Sequence, residues 1–209
     1  MKTKHITEAV MHAVFFTCGM LAIAFVALIS LYIITAGLPA IKEIGLGDFL
    51  LGTVWKSTAA EPSFGILPFI LTSIWGTLGA IVIGVPVGVL TAVFLSKVAS
   101  PRVAGIVRPA VDLLAGIPSV VYGLVGMMVL VPLMMQVFHL DNGTCLLAAM
   151  LVLAIMILPG IVSVSETALN AVPPEYEHAS LALGATWMET IFKVSLPAAK
   201  SGIGAGVVL

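Results

Sequence analysis

The chain has 209 residues, of which 60% are apolar and only 9% charged, and its formal net charge is −1. Soluble domains are about half apolar and about a quarter charged, so this composition excludes a single large soluble core. The near-zero net charge excludes a strong basic field that would attract nucleic acid. Cys18 and Cys145 fit neither a metal-ligand spacing nor a disulfide framework.

Four long runs without a charged residue predict four membrane spans, because a helix needs about 20 mostly apolar residues to cross a bilayer. In chain order we predict spans at 13–36, 66–94, 111–138 and 145–164, the last kinked at Pro159 and Gly160. The first run is too long for a signal peptide and is predicted to remain as a span. Loops are predicted at 37–65 and around Lys97 to Arg108. Another apolar run opens at Ser201, and we expect the chain to stop within the fifth of about six spans.

The second span carries a small residue at every fourth position: Gly76, Ala80, Gly84 and Gly88. These residues share one helix face, where they allow a neighbouring helix to approach closely. The pattern favours helix packing, with a substrate path as the less favoured interpretation.

The distribution of lysine and arginine predicts the orientation in the membrane. Seven of these residues fall on the side of the N-terminus and two, Lys42 and Lys56, on the other. The positive-inside rule therefore places the N-terminus and the polar segment 173–197 in the cytoplasm.

The segment 173–197 is predicted to form two short helices joined by a glycine turn. Pro173 and Pro174 suit a first helical turn, and Gly184 suits a helix end. The spacing i, i+3, i+4, i+7 places one face of the first helix at Tyr176, Ala179, Ser180 and Leu183.

The second helix is predicted to begin with a capping box formed by Thr186 and Glu189 and to end at Leu196 and Pro197. Two uses are open for such a helix pair, docking another protein or lying on the lipid surface. The segment holds three glutamates and few basic residues, whereas lipid-binding helices are usually basic, so docking is favoured.

The same segment resembles the EAA motif of permease subunits from binding-protein-dependent ABC importers. His178, Ala179 and Ser180 occupy the Glu-Ala-Ala positions, Gly184 follows at the family spacing, and Val194 to Pro197 occupy the Ile-x-Leu-Pro positions. In that family the loop is the coupling helix that inserts into a cleft of the ATPase. The resemblance thus implies a set of ATPase-coupling residues, namely Glu175, Glu177, His178, Ala179, Ser180, Gly184, Leu196 and Pro197.

Two further blocks, Val111 to Gly126 and Phe64 to Pro68, are similar to phosphate importer permeases, those of the PstC type in particular. The resemblance implies an all-α, polytopic inner-membrane bundle with the type I ABC importer permease fold. Residues 1–65 would hold the first span and an extracytoplasmic loop, and residues 66–209 the permease domain, with the coupling loop at 170–200. The implied partners are a dimeric ABC ATPase, a second, PstA-like permease subunit, a phosphate-binding protein and the lipid bilayer.

No catalytic, metal or cofactor site is expected, because the chain has no P-loop lysine and its four histidines are scattered. Energy for transport must then come from a partner or a gradient. Ser119, Tyr122 and Thr77 are candidates for a substrate path, although packing of their hydroxyls against the backbone is favoured. Asp112 and Glu166 are expected at span ends, paired with Arg108 or with a neighbouring subunit.

Two alternatives remain beside a phosphate importer permease. One is an ABC permease for another oxyanion or small solute, because no residue in the sequence identifies phosphate itself as the substrate. The other is a gradient-driven transporter, which would carry inverted repeats and intramembrane charges that the sequence does not display.

Overall fold

The computed structural model describes the backbone of residues 2–208 and the side chains of residue 8 and residues 10–208. The side chains at positions 2 and 4, which contribute to the charge count, lie outside the described residues. Three π-helical segments, here called π1, π2 and π3, each continue the α-helix before them. The elements in chain order are α1 Lys2–Ile44, α2 Leu46–Leu51, β1 Trp55–Lys56, β2 Ser63–Phe64, α3 Leu67–Val93, π1 Phe94–Val98, α4 Pro101–Ala115, α5 Ser119–Val125, π2 Gly126–Leu130, α6 Val131–Phe138, α7 Leu146–Asn170, α8 Pro174–Ala182, α9 Trp187–Thr190, π3 Ile191–Ser195, α10 Leu196–Ala198 and α11 Lys200–Val208.

Four helices in the described chain are long and apolar enough to cross a membrane. They comprise Val10–Ile44, Leu67–Val98, Ser119–Phe138 and Leu146–Asn170. The four predicted spans are therefore confirmed, with shifted ends. The described chain divides after residue 70 into two compact units.

In the first unit, helix α1 is longer than its predicted span. It continues through Gly37 and Pro39 to Ile44, so the prediction of a loop from residue 37 is wrong. The chain turns at Gly45, whose φ of 90° is a backbone conformation that favours glycine. None of the apolar window of α1 is buried within the chain, so its surface is available to lipid or to another helix.

The rest of the predicted first loop also has regular structure. Helix α2 is followed by a short antiparallel hairpin in which Trp55 pairs with Phe64. The Trp55 ring packs edge-on against Phe64 at 5.5 Å and Phe69 at 5.7 Å between ring centroids. These aromatic contacts stabilise the hairpin, which was missed because its strands are only two residues long.

In the second unit, α3 packs against α7 through its row of small residues. Gly76, Gly84 and Gly88 are buried. A Cβ at Gly84 would lie 2.8 Å from Ile157 Cδ1, and one at Gly88 would lie 2.7 Å from Ile161 Cγ2. The packing interpretation of the small-residue pattern is confirmed.

The predicted start of the third span is wrong. Val111 and Asp112 belong to α4, a separate helix that replaces the predicted basic loop. The break falls at Gly116 to Pro118, and the spanning helix begins at Ser119. The residue before a proline is disfavoured in the α conformation, so Pro118 forces the chain out of the helix.

Helix α7 is longer than its predicted span and runs through Pro159 to Asn170. Its last turns are polar and were therefore assigned to a loop. These last turns are stabilised as helix by α4, which packs on α7 through a cluster that contains Ala104 and Val162. Glu166 of α7 also pairs with Arg108 of α4, as one of the predicted alternatives had it.

The Arg108–Glu166 pair is expected to stabilise the contact between α4 and α7. The guanidinium contacts Glu166 Oε1 through Nε at 2.7 Å and Nη2 at 2.5 Å. Breaking a fully buried pair costs about 3–5 kcal/mol. Because the Arg108 side chain is 47% exposed, we expect Arg108→Gln to cost only about 1–2 kcal/mol. Thermal unfolding in detergent measures the loss. The double exchange Arg108→Glu with Glu166→Arg should recover it, and a double variant less stable than either single variant would contradict the prediction.

Candidate functional site

The polar segment 173–197 folds as two helical arms joined by a hydrogen-bonded turn. Pro174 begins the first arm, α8, and Gly184 follows its end with a φ of 87°. The Gly184 amide donates to Leu181 O at 3.0 Å, and the Ala185 amide donates to Ser180 O at 3.2 Å. This pair of bonds is a Schellman motif, in which a left-handed residue closes the helix. The predicted glycine turn is confirmed.

The second arm begins at the predicted capping box. The Glu189 amide donates to Thr186 Oγ1 at 3.3 Å, and the Thr186 amide donates to Glu189 Oε2 at 3.1 Å. The backbone hydrogen bond from Thr186, followed by the hydrogen bond from Lys193, lowers the pKa of Glu189 to about 2. The Glu189 carboxylate of the capping box therefore stays ionised at neutral pH and stabilises the start of α9.

The second arm continues further than predicted and enters the core. Pro197 does not end it but lies in the first turn of α10, which follows π3 directly. Ile191 is 1% exposed and Ala199 4%. They pack with Val93 at the end of α3 and Leu169 at the end of α7. The second arm is thus part of the same hydrophobic core as two spanning helices.

The residues predicted to share one face of the first arm are mostly exposed, and a different residue points inward. Tyr176, Ala179 and Leu183 are exposed, and the residue of α8 that is buried is Glu177. Ser180 is the member of the predicted face that points inward, where its hydroxyl bonds to Thr190 Oγ1 at 2.9 Å. Helical periodicity alone did not mark Glu177 as a buried residue.

Glu177 is held by two groups from other elements. Its Oε1 lies 2.6 Å from Lys97 Nζ of π1 and accepts a hydrogen bond of 2.8 Å from Ser195 Oγ of π3. Burial raises the pKa of Glu177, but the hydrogen bonds from Lys97 and Ser195 and the charges of Lys97 and His178 outweigh it. The pKa is therefore lowered from its ordinary value of 4.5. Glu177 is ionised at neutral pH, and neither Lys97 nor Ser195 was singled out from the sequence.

Four exposed apolar residues of the helix pair make up what is here called the outer surface. It comprises Tyr176, Leu183, Trp187 and Met188, which are 56%, 90%, 42% and 57% exposed. Glu175, His178 and Ala179 of the predicted coupling set are exposed on the same arm, and Pro197 is exposed on the other. Leu196 is half-buried and packs against the core.

The structure does not bring the three candidate path residues together. Thr77 lines a largely apolar cavity of about 600 Å³ formed by α3, α7 and α11. Ser119 lines a separate apolar groove of about 450 Å³ against α7. The Tyr122 hydroxyl donates to Leu114 O at 2.8 Å and so ties α5 to α4 across the break at Pro118.

These features define a polytopic helical membrane protein in which a structured polar helix pair lies between the fourth of the described spans and α11. Residues 84–209 match the family model described as "Binding-protein-dependent transport system inner membrane component". The match covers more than half of the chain, which therefore belongs to this family. The predicted fold class, an all-α bundle of the importer permease type, is confirmed.

Named relatives agree with this membership. The chain is 38% identical, over 92% of its length, to the probable ABC transporter permease protein YqgH of Bacillus subtilis, covering 63% of that protein. It is 32% identical, over 91% of its length, to the phosphate transport system permease protein PstC of Haemophilus influenzae, covering 66% of it. A solved structure of the MetNI methionine ABC transporter aligns with 69% of this chain and 67% of its own, at 24% identity and a TM-score of 0.49. The chain thus spans about two thirds of the length of these relatives.

Proposed function

We propose that this chain belongs to the permease subunit of an ATP-driven importer and that the outer surface of the helix pair docks a separate ATPase. The observation that carries the proposal is the exposed Leu183 on the Gly184 turn, next to an arm embedded in the core between two spans. A force applied to the outer surface would reach α3 and α7 through that arm. Residues 66–209 would be the permease domain, with 170–200 as its coupling loop.

The orientation that we propose rests on the charge distribution together with the positions of two ion pairs. Lys97 and Arg108 contact Glu177 and Glu166, so the basic helix α4 and the helix pair lie at the same end of the second unit. The excess of lysine and arginine favours the cytoplasm for that end. In this topology the N-terminus is also cytoplasmic, and the ATPase reaches the outer surface from the water.

We propose phosphate as the substrate, with a phosphate-binding protein on the outer side and a second, PstA-like permease subunit completing the path. Support comes from the relatives named for phosphate transport, PstC of Haemophilus influenzae and PstC of Mesorhizobium japonicum, the latter 30% identical over 98% of this chain. Thr77 and Ser119 are the candidates for the path, because each lines a cavity between helices.

A substitution of Leu183 tests the docking proposal. Because its side chain is 90% exposed, replacing it should leave the fold intact. We expect Leu183→Asp to weaken ATPase binding by at least about tenfold, the size of a central interface contact, or about 1.4 kcal/mol. Co-purification of the ATPase with the full-length permease from membranes measures the effect. Leu183→Met keeps the apolar contact and should bind normally. Recovery of the same amount of ATPase with Leu183→Asp as with the wild type would contradict the proposal.

Uptake measurements test the substrate. The complete importer, reconstituted in liposomes with ATP inside, should accumulate phosphate but not sulfate. Arsenate, which matches phosphate in shape and charge, should compete. Preferential accumulation of sulfate would reject phosphate and retain the permease proposal, whereas ATP-independent uptake would favour a gradient-driven transporter.

A further inference from the structure

The position of the first arm depends on a charged group. Among the nine residues of α8, Glu177 is the buried one, and its side chain is 12% exposed. Exposed residues contribute little packing, so α8 has few apolar contacts that could hold it. A buried carboxylate, by contrast, can hold a helix in position, because its charge is stable only while its ion-pair and hydrogen-bond partners stay in place.

The groups that hold Glu177 come from two different parts of the helical core. Lys97 lies in π1, at the end of the second span, and Ser195 lies in π3, within the embedded second arm. Both groups contact the same oxygen, Oε1. A single carboxylate therefore joins the first arm to the second arm and to the end of a spanning helix. Single π-helical turns inside α-helices frequently occur at functional sites, and here two of them face one residue.

We propose that Glu177 is a positioning residue that transmits movement of the helix pair to the second span through Lys97, instead of contacting the ATPase itself. This inference rests on the proposed function, in which the ATPase moves the pair. Direct contact would require a carboxylate free to meet a partner, whereas Oε1 is already bound within the chain on the inward face of α8. The outer surface then binds the ATPase, and the Lys97–Glu177–Ser195 network carries the displacement inward.

Charge-neutral variants of the complete importer separate transmission from docking. Glu177→Gln and Lys97→Gln each remove the ion pair and keep a polar side chain; glutamine has nearly the shape of glutamate and is shorter than lysine. We expect normal recovery of bound ATPase, with phosphate uptake per ATP hydrolysed falling by about tenfold, a size typical of coupling between sites. The exchange Lys97→Glu with Glu177→Lys restores the pair and should recover most of the uptake.

Lys193→Gln is the matched control. Lys193 also pairs with a glutamate of the helix pair, Glu189, at 3.1 Å, but it is 73% exposed, and both residues lie one turn apart in the second arm. Its loss should leave uptake per ATP unchanged. If Glu177→Gln lowers ATPase binding while Lys97→Gln does not, Glu177 docks the ATPase directly and the inference is overturned. Failure of the exchanged pair to restore uptake would overturn it as well.

A distance measurement separates this inference from the proposed function, because it needs no ATPase. Spin labels at Val98 and Ala182, both exposed, report the separation of π1 and α8 in the full-length permease with Cys18 and Cys145 replaced by serine. The distance distribution should broaden in both glutamine variants and narrow again in the exchanged pair. A distribution that neither variant changes overturns the role of Glu177. A wild-type permease that binds no ATPase overturns the proposed function instead.

Discussion

Replacing Gly184 by proline is expected to abolish ATPase association while leaving membrane insertion intact. Gly184 has a φ of 87°, whereas proline requires a φ near −65°. Proline would also remove the amide that donates to Leu181 O at 3.0 Å. Both effects open the turn and displace Leu183 from the outer surface. The spanning helices do not depend on this turn, so the protein should still reach the membrane in normal amount.

The measurement is co-purification of the ATPase with the full-length permease, normalised to permease in the membrane fraction. Gly184→Asn is the matched control, since asparagine adopts the left-handed conformation more readily than other residues with side chains. It should retain most of the binding. No atom lies within 4 Å of an added Cβ at this position, so a loss in the proline variant reports backbone geometry rather than a clash. ATPase recovery at the wild-type level with proline would refute the prediction.

A leucine at Gly84 is expected to destabilise the helical bundle more than any surface change. An added Cβ would lie 2.8 Å from Ile157 Cδ1 and 3.2 Å from Ala154 O. The side chain of Ile157 can move, but the backbone of α7 must also yield, and the larger leucine needs still more room. Overpacking of this kind costs about 1–3 kcal/mol. We expect a clear drop in the temperature of unfolding in detergent and reduced assembly with the partner subunits.

Gly105→Leu is the control for this substitution. Gly105 lies in α4 with no atom within 4 Å of an added Cβ, and it is exposed. The same change there should leave the unfolding temperature near that of the wild type, because leucine has a higher helix propensity than glycine. Equal destabilisation at both positions would mean that close packing of α3 on α7 is not the cause.

Much of the helix pair was predictable because its signals are local. The capping box of Thr186 and Glu189 and the turn at Gly184 depend on groups three or four residues apart, so a short stretch of sequence contains both partners. The break at Pro118 is equally local, and its proline signal was present. It was missed because the apolar run continues across it.

The inward face of α8 could not be predicted in the same way. Helical periodicity groups Tyr176 and Leu183 on one face of α8 but does not decide whether that face points inward, and both residues are exposed. Glu177 can face inward only because Lys97, 80 positions earlier in the chain, supplies the opposite charge. An ion pair between residues so far apart in the sequence produces no periodic pattern from which it could be predicted.

The candidate substrate-path residues also show that spacing in the sequence cannot predict tertiary contacts. Hydroxyls at Ser119 and Tyr122 share a helix face, so spacing alone treats them as equivalent. In the fold, Tyr122 bonds to Leu114 O across the break, whereas Ser119 lines a groove. The difference arises from the break at Gly116 to Pro118, which leaves the carbonyl of Leu114 near the end of α4 within reach of the Tyr122 hydroxyl.

The sequence by itself determined that this is a membrane protein with four apolar spans, a small-residue packing face on the second and a capped helix pair after the fourth. Each of these depends on composition or on neighbours within one or two helical turns. The tertiary structure alone decided which side of that helix pair faces outward and which groups hold it. Those outcomes depend on whether a buried charge finds a partner, and Glu177 finds it in Lys97 only after the second span and the helix pair have come together.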